Sequence, residues 1–148
     1  MKTKLMSTFL IAVCLTSFSG CNPDEEVEII PTNFTFNGTV TDTQSSTAIT
    51  NVHLAITNSY QIIENGITKT KVDTIIKGAS NQDGSYSLKF NALPPNDYKI
   101  TAQDISGNYQ TTETPIVIEA INWERKASDV NGGKVSKKID LKLQKKGV

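Results

Sequence analysis

The sequence predicts an all-β protein, an antiparallel sandwich of seven or eight short strands behind an N-terminal targeting segment. Three observations carry that expectation. Apolar residues recur at every second position in run after run, the period of a strand with one buried face. Turn-forming residues punctuate those runs roughly every 8–12 residues, the spacing of sandwiches and barrels. Beyond the first 21 residues no long stretch carries the 3.6-residue period of a helix.

The elements follow in order. Phe34, Phe36, Gly38 and Val40 alternate with Thr35, Asn37, Thr39 and Thr41, and polar residues 42–46 turn the chain. Val52, Leu54 and Ile56 alternate next, with His53 and Ala55 on the other face. Asn65-Gly66 is the strongest short hairpin signal, with arms expected over residues 59–63 and 67–78. Asn81-Gln82-Asp83-Gly84 is a turn, after which Tyr86, Leu88 and Phe90 alternate. Leu93-Pro94-Pro95-Asn96-Asp97 blocks any helix, and Tyr98, Ile100 and Ala102 resume the alternation. Ser106-Gly107-Asn108 turns the chain into a strand over 109–119, placed at an edge because Pro115 has no N–H to donate. Residues 120–134 read as irregular. A closing strand over 135–143 puts Ile139, Leu141 and Leu143 on one face, with nearby lysines keeping that end soluble. The predicted hidden face is Phe34, Phe36, Val40, Val52, Leu54, Ile56, Tyr86, Leu88, Tyr98, Ile100, Ile139 and Leu141.

Composition agrees with one domain. The 148 residues are 37% hydrophobic and 20% charged, too apolar for a disordered chain and too polar for a multi-span membrane protein. Fifteen basic and fifteen acidic residues cancel, so no bulk field draws the chain to nucleic acid.

The amino terminus reads as an address. Lys2 and Lys4 precede a stretch, Leu5 to Phe18, that holds no charge. It is shorter than the roughly 20 residues a membrane-spanning helix needs, and fits the core of a signal peptide. Phe18-Ser19-Gly20-Cys21 resembles the bacterial lipobox, in which the chain is cut just before a Cys whose thiol carries diacylglycerol. Phe18 departs from the more usual Leu. The resemblance implies a signal peptide over residues 1–20, Cys21 as the lipid attachment site and mature amino terminus, and a mature chain without a free thiol or disulfide. The competing reading is an ordinary secretory signal with an incidental Cys. Residues 21–32 are the lipidated Cys and an acidic tether, in which four acidic residues and two prolines disfavour regular structure. Asp24, Glu25 and Glu26 resemble the surface-export signal of some Gram-negative lipoproteins; equally, they form a solvated spacer above an anionic membrane.

The folded domain, residues 33–148, resembles the carboxypeptidase regulatory-like domain, a transthyretin-like (prealbumin-like) β-sandwich. Gly38-Thr39-Val40-Thr41-Asp42 is similar to the family's opening Gly-x-Val-x-Asp. The segments 48–54, 81–88, 93–100 and 139–143 are similar to its later turn-and-strand steps. Ala48 and Asn51 replace the family's usual Pro and Gly, and Asn96-Asp97 replaces a Gly. The resemblance implies a scaffold without peptidase activity, because the zinc-bearing catalytic domain of a carboxypeptidase is absent.

The residue inventory holds little catalytic material. His53 is the single His, so a three-His zinc site cannot be built, and with two Cys a Cys₄ site cannot either. His53 sits opposite the apolar face of its strand and is expected to be exposed and idle. No Gly-x-Ser-x-Gly elbow or candidate triad is present. Asn81–Gly84 and Asp129-Val130-Asn131-Gly132 are similar to fragments of calcium loops but lack the oxygens and terminal Glu of an EF-hand. Acidic residues are scattered rather than paired as glycoside hydrolysis requires. Trp123, beside Glu124, Arg125 and Lys126, either stacks on a sugar or grips a partner, with Arg125 assisting, or caps one end of the core. Asp73-Thr74-Ile75 resembles a bacterial O-glycosylation acceptor and reads equally as strand.

These readings predict a non-enzymatic, lipid-anchored protein of the bacterial outer membrane, on its periplasmic or cell-surface face, without a cofactor. The expected role is binding or adhesion, as a monomer contacting a glycan or an envelope protein. The alternative is an assembly component pairing through an edge strand, and a small envelope hydrolase comes third.

Overall fold

The computed structural model describes residues 30–93, 97–126 and 132–147. The expected all-β sandwich is what these residues form. The strands are β1 (Thr32–Asp42), β2 (Val52–Glu64), β3 (Ile67–Ala79), β4 (Ser85–Ala92), β5 (Asp97–Asp104), β6 (Thr112–Pro115), β7 (Trp123–Arg125), β8 (Lys134–Lys138) and β9 (Leu141–Leu143). A single 3₁₀ turn, Ala120–Asn122, is the one helical element among the described residues. One sheet has the order β4-β1-β8-β7, with β9 also paired to β1; the other has the order β3-β2-β5-β6.

Strict alternation builds the core. Every second residue of β1, from Thr32 to Asp42, is buried. All twelve residues predicted for the hidden face are buried, joined by Ile49, Ala102, Ile116, Val135 and Leu143. Phe34, Phe36 and Phe90 of one sheet meet Tyr98 of the other. Phe34 and Phe90 stack at 5.2 Å between centroids, and Tyr98 stands edge-on to Phe34 at 5.3 Å and to Phe90 at 5.4 Å. These are the offset and T-shaped geometries that aromatic quadrupoles favour.

The closing strand departs from the expectation in two ways. It runs parallel to β1, not antiparallel, and it is broken into β8 and β9. The direction follows from the route. After β6 the chain crosses from one sheet to the other through residues 116–122, descends as β7, and returns as β8 alongside β1. The break lies beside Gly38. A Cβ there would stand 2.0 Å from the carbonyl oxygen of Ile139, so only glycine admits this close backbone approach. Ile139 N–H donates to the Asn37 carbonyl at 2.7 Å across the break. The buried Tyr86 hydroxyl donates to the Ile139 carbonyl from the other side.

Other boundaries also shift. The expected strand over 109–119 contracts to Thr112–Pro115, because Pro115 cannot donate and Ile116 turns into the core. It does form an edge, as its proline predicts. Residues 120–134, read as irregular, contain the 3₁₀ turn, β7 and the first residue of β8. The separate strand at 52–56 and hairpin arm at 59–63 are one continuous strand of 13 residues.

Candidate functional site

Asn65 (φ 54°) and Gly66 (φ 75°) form the two-residue turn that the Asn-Gly pair predicts. The hairpin they close is longer than the sheet that carries it. β2 pairs with β5 from Val52 to Ser59, and β5 begins there, at Asp97. Beyond that point, among the described residues, β2 and β3 pair only with each other, Tyr60 with Lys71 through Glu64 with Ile67. Five residues per strand at ~3.4 Å each give a two-stranded ribbon projecting by roughly 17 Å. Two cross-strand contacts fasten it. The Tyr60 hydroxyl donates to Asp73 Oδ2 at 2.8 Å, and Lys69 Nζ meets Glu64 Oε2 at 2.7 Å.

Facing residues of an antiparallel pair share a side. Tyr60, Ile62, Ile67, Lys69 and Lys71 therefore stand on the side continuous with the core, and Ile63, Thr68, Thr70 and Val72 on the other. Ile63 is 79% exposed, Ile67 62% and Val72 60%, among the most exposed large apolar residues described. The register slips between Ile56 and Thr57, leaving Ile75 as the extra residue of a β-bulge on β3.

β3 is also the free margin of its sheet. It has no hydrogen-bonded neighbour other than β2 among the described residues. Thirteen residues of backbone thus present an open row of donors and acceptors. The arm expected over residues 67–78 is within one residue of the observed strand; what the sequence hides is that β2 runs unbroken from residue 52 to 64, so that the hairpin overhangs β5.

Three carboxylates of the domain, Asp42, Asp83 and Asp104, are engaged in turns. Asp42 Oδ1 accepts from the N–H groups of Gln44 (2.7 Å) and Ser45 (2.9 Å), which hold its pKa below the usual range. Burial raises the pKa of Asp104, but donors from Ser106, Asn108 and Tyr109 outweigh it and leave the carboxyl below its ordinary value of 3.8. Tyr109 N–H donates to Asp104 Oδ2 at 3.1 Å. Asp83 Oδ1 accepts from Ser85 Oγ at 2.6 Å and from Ser85 N–H at 3.0 Å, so Asn81–Gly84 is turn chemistry. Among the described residues no group of three or more His, Cys, Asp or Glu converges as metal ligands would.

The remaining sequence candidates lie apart. Cys21 and residues 129–131 fall outside the described residues. Trp123 is the first residue of β7; it is half-buried and packs against the core, while Arg125 is exposed at the strand's end. Glu124 between them pairs with Lys134. His53 is exposed on the outer face of β2, opposite Ala79 and Gln103, in a shallow groove shared with Lys77 and Thr101. Asp73-Thr74-Ile75 lies on β3 at the bulge, with Thr74 exposed and Asp73 held by Tyr60.

No family model matches the chain, and no curated protein matches it. Solved structures resemble it at low identity. A 3-chlorocatechol 1,2-dioxygenase from Rhodococcus opacus 1CP is 14% identical with a TM-score of 0.49, over 76% of this chain and 60% of that one. The group B streptococcus pilus 2b backbone protein is 8% identical with a TM-score of 0.48, over 75% and 40%. The shaft pilin SpaA from Lactobacillus rhamnosus GG is 10% identical with a TM-score of 0.43, over 78% and 47%. The chain thus spans about 40–60% of the length of each. The likeness lies in the sandwich fold and assigns no function.

Proposed function

We propose that this chain is a non-enzymatic envelope module, anchored by lipid at Cys21 to the bacterial outer membrane, that binds a protein partner by accepting an extended strand along β3. The single observation that carries the reading is the 13-residue free margin of β3. Soluble proteins blunt such margins because any extended chain can pair with them. Here the bulge at Ile75 interrupts the strand near its base, while the residues from Ile67 to Asp73 run straight and exposed. Backbone hydrogen bonds would supply affinity and alternate side chains specificity, as in other cases of strand addition. The exposed Val72, beside Thr70, offers the apolar contact on one side, and Lys71 selects an acidic position on the other.

A photo-cross-linking residue at Thr70 in intact cells tests this. The expected result is one discrete protein adduct that disappears when Val72 is replaced by Pro. Equal, diffuse labelling from Thr70 and from the exposed Ile121 would end the proposal.

A further inference from the structure

We infer that the tip of the ribbon, Ile62 to Ile67, seats in the interfacial layer of a lipid bilayer and gives the protein a second membrane contact. Direction is the first argument. β1 begins at Thr32, paired with Ala92 at the end of β4; five residues on, β5 begins at Asp97, opposite Ser59. The chain therefore enters the sandwich at the same end from which the ribbon projects. The inference rests on the Cys21-anchored reading for which way that end faces. Residues 21–31, fully extended at ~3.5 Å each, reach at most roughly 40 Å. A ribbon of roughly 17 Å is under half of that longest reach, so the tether is long enough for the tip to meet the lipid while Cys21 stays anchored.

Side-chain distribution is the second argument. A protein-docking ribbon carries its apolar residues on one side. Here Ile62 and Ile67 stand on one side and Ile63 on the other, so apolar surface surrounds the tip. That pattern suits a medium that is apolar on every side. Behind the tip, Lys69 shares the side of Ile67, where its stem can lie along the lipid boundary with the ammonium group at headgroup level. Glu64 enters with its charge already matched by Lys69 at 2.7 Å. The seat is interfacial, at a depth of ~5–10 Å, because a turn placed deeper would leave peptide groups without partners. The strand margin from Thr70 upward stays clear of lipid and open to a partner.

The test places an environment-sensitive fluorescent residue at Ile63, and separately at Gln44 in the turn at the opposite end, in full-length protein produced with its native processing. Each is reconstituted in vesicles of phosphatidylcholine with one-fifth phosphatidylglycerol. The expected result is a blue-shifted Ile63 probe, quenched by lipid-phase nitroxides, beside a Gln44 probe that remains in water. Adding Ile67→Asp should lower the inserted-to-free ratio about tenfold or more. An Ile63 probe as aqueous as Gln44 would overturn the inference. So would a shift that ignores the lipid quencher and grows with protein density, which would assign the tip to a protein contact. Mass analysis of the N-terminal peptide reports the Cys21 lipid independently. Lipid present with an aqueous tip sinks this inference alone; lipid absent with an inserted tip sinks the anchor alone.

Discussion

The two halves of the β2–β3 hairpin share one backbone ladder and differ in almost everything else. In the lower half, Val52, Leu54 and Ile56 are buried against β5 and the facing sheet. In the upper half, the same strands carry Ile63 and Ile67 into solvent, and among the described residues pair with nothing but each other. A two-stranded ribbon is marginal alone in water, so the buried half must hold the exposed half in register. The lower half is where the sequence invests in stability. The upper half is where an exposed apolar side chain contributes little to folding, which is why its function is sought outside the domain.

That contrast is breakable first at the core. Phe36 is fully buried against Phe34, Phe90 and Tyr98. Phe36→Ala should destabilise the domain by about 3–5 kcal/mol, measured by chemical denaturation. A loss under about 1 kcal/mol would mean that the aromatic cluster does not hold the two sheets together. Gly38→Ala should rank next, at about 1–3 kcal/mol or more, since the new Cβ meets the Ile139 backbone and not a movable side chain. Its signature would be faster hydrogen exchange in β8 and β9 than in β2 and β3.

Ser80 sharpens the comparison at the hairpin's base. Its buried hydroxyl donates to the Ile49 carbonyl at 2.8 Å and accepts from Val52 N–H at 3.0 Å. Ser80→Ala leaves both groups unsatisfied and should cost about 1–3 kcal/mol. Protection should fall at the start of β2 and not at the ribbon tip.

The end of the sandwich opposite the ribbon should respond to acid. Asp104 is held below its ordinary value, so the native state binds fewer protons there than the unfolded chain. Its contribution is complete above the unfolded pKa of about 3.9 and is lost as pH falls through the depressed value. Asp104→Asn should be the less stable protein at neutral pH, and the gap should narrow as pH falls below about 4. A gap that widens in acid would contradict the hydrogen bonds assigned to the carboxylate.

The buried half was readable because burial imposes a period. Phe34-Thr35-Phe36 and Tyr98-Lys99-Ile100 each state which side faces inward. The Asn-Gly turn was readable because few residues accept positive φ at two successive positions. The parallel return of β8 and β9 was hidden because it depends on where residues 116–122 cross between sheets, and alternation carries no direction. The arms of the ribbon were readable from the same turn, at residues 59–63 and 67–78, but their overhang was not, because it depends on where β5 stops beside β2, and the pattern of one strand does not record the length of its neighbour. Trp123 was ambiguous in sequence; the structure packs it half-buried against the core as the first residue of β7.

The smallest expected effect is the one that isolates the ribbon. Ile63 is 79% exposed, so Ile63→Ala should change stability by no more than about 0.5 kcal/mol. Applied to Ile56, fully buried on the same strand, a truncation to Ala should cost about 2–5 kcal/mol. The pair of measurements uses one residue type, one strand and one substitution, so the difference reports burial alone. If Ile63→Ala matched Ile56→Ala in cost, the tip would be folded against something within the domain, and the ribbon would not be free to reach a membrane or a partner. If it costs nothing in solution yet weakens membrane association of the anchored protein, Ile63 serves a contact beyond the domain.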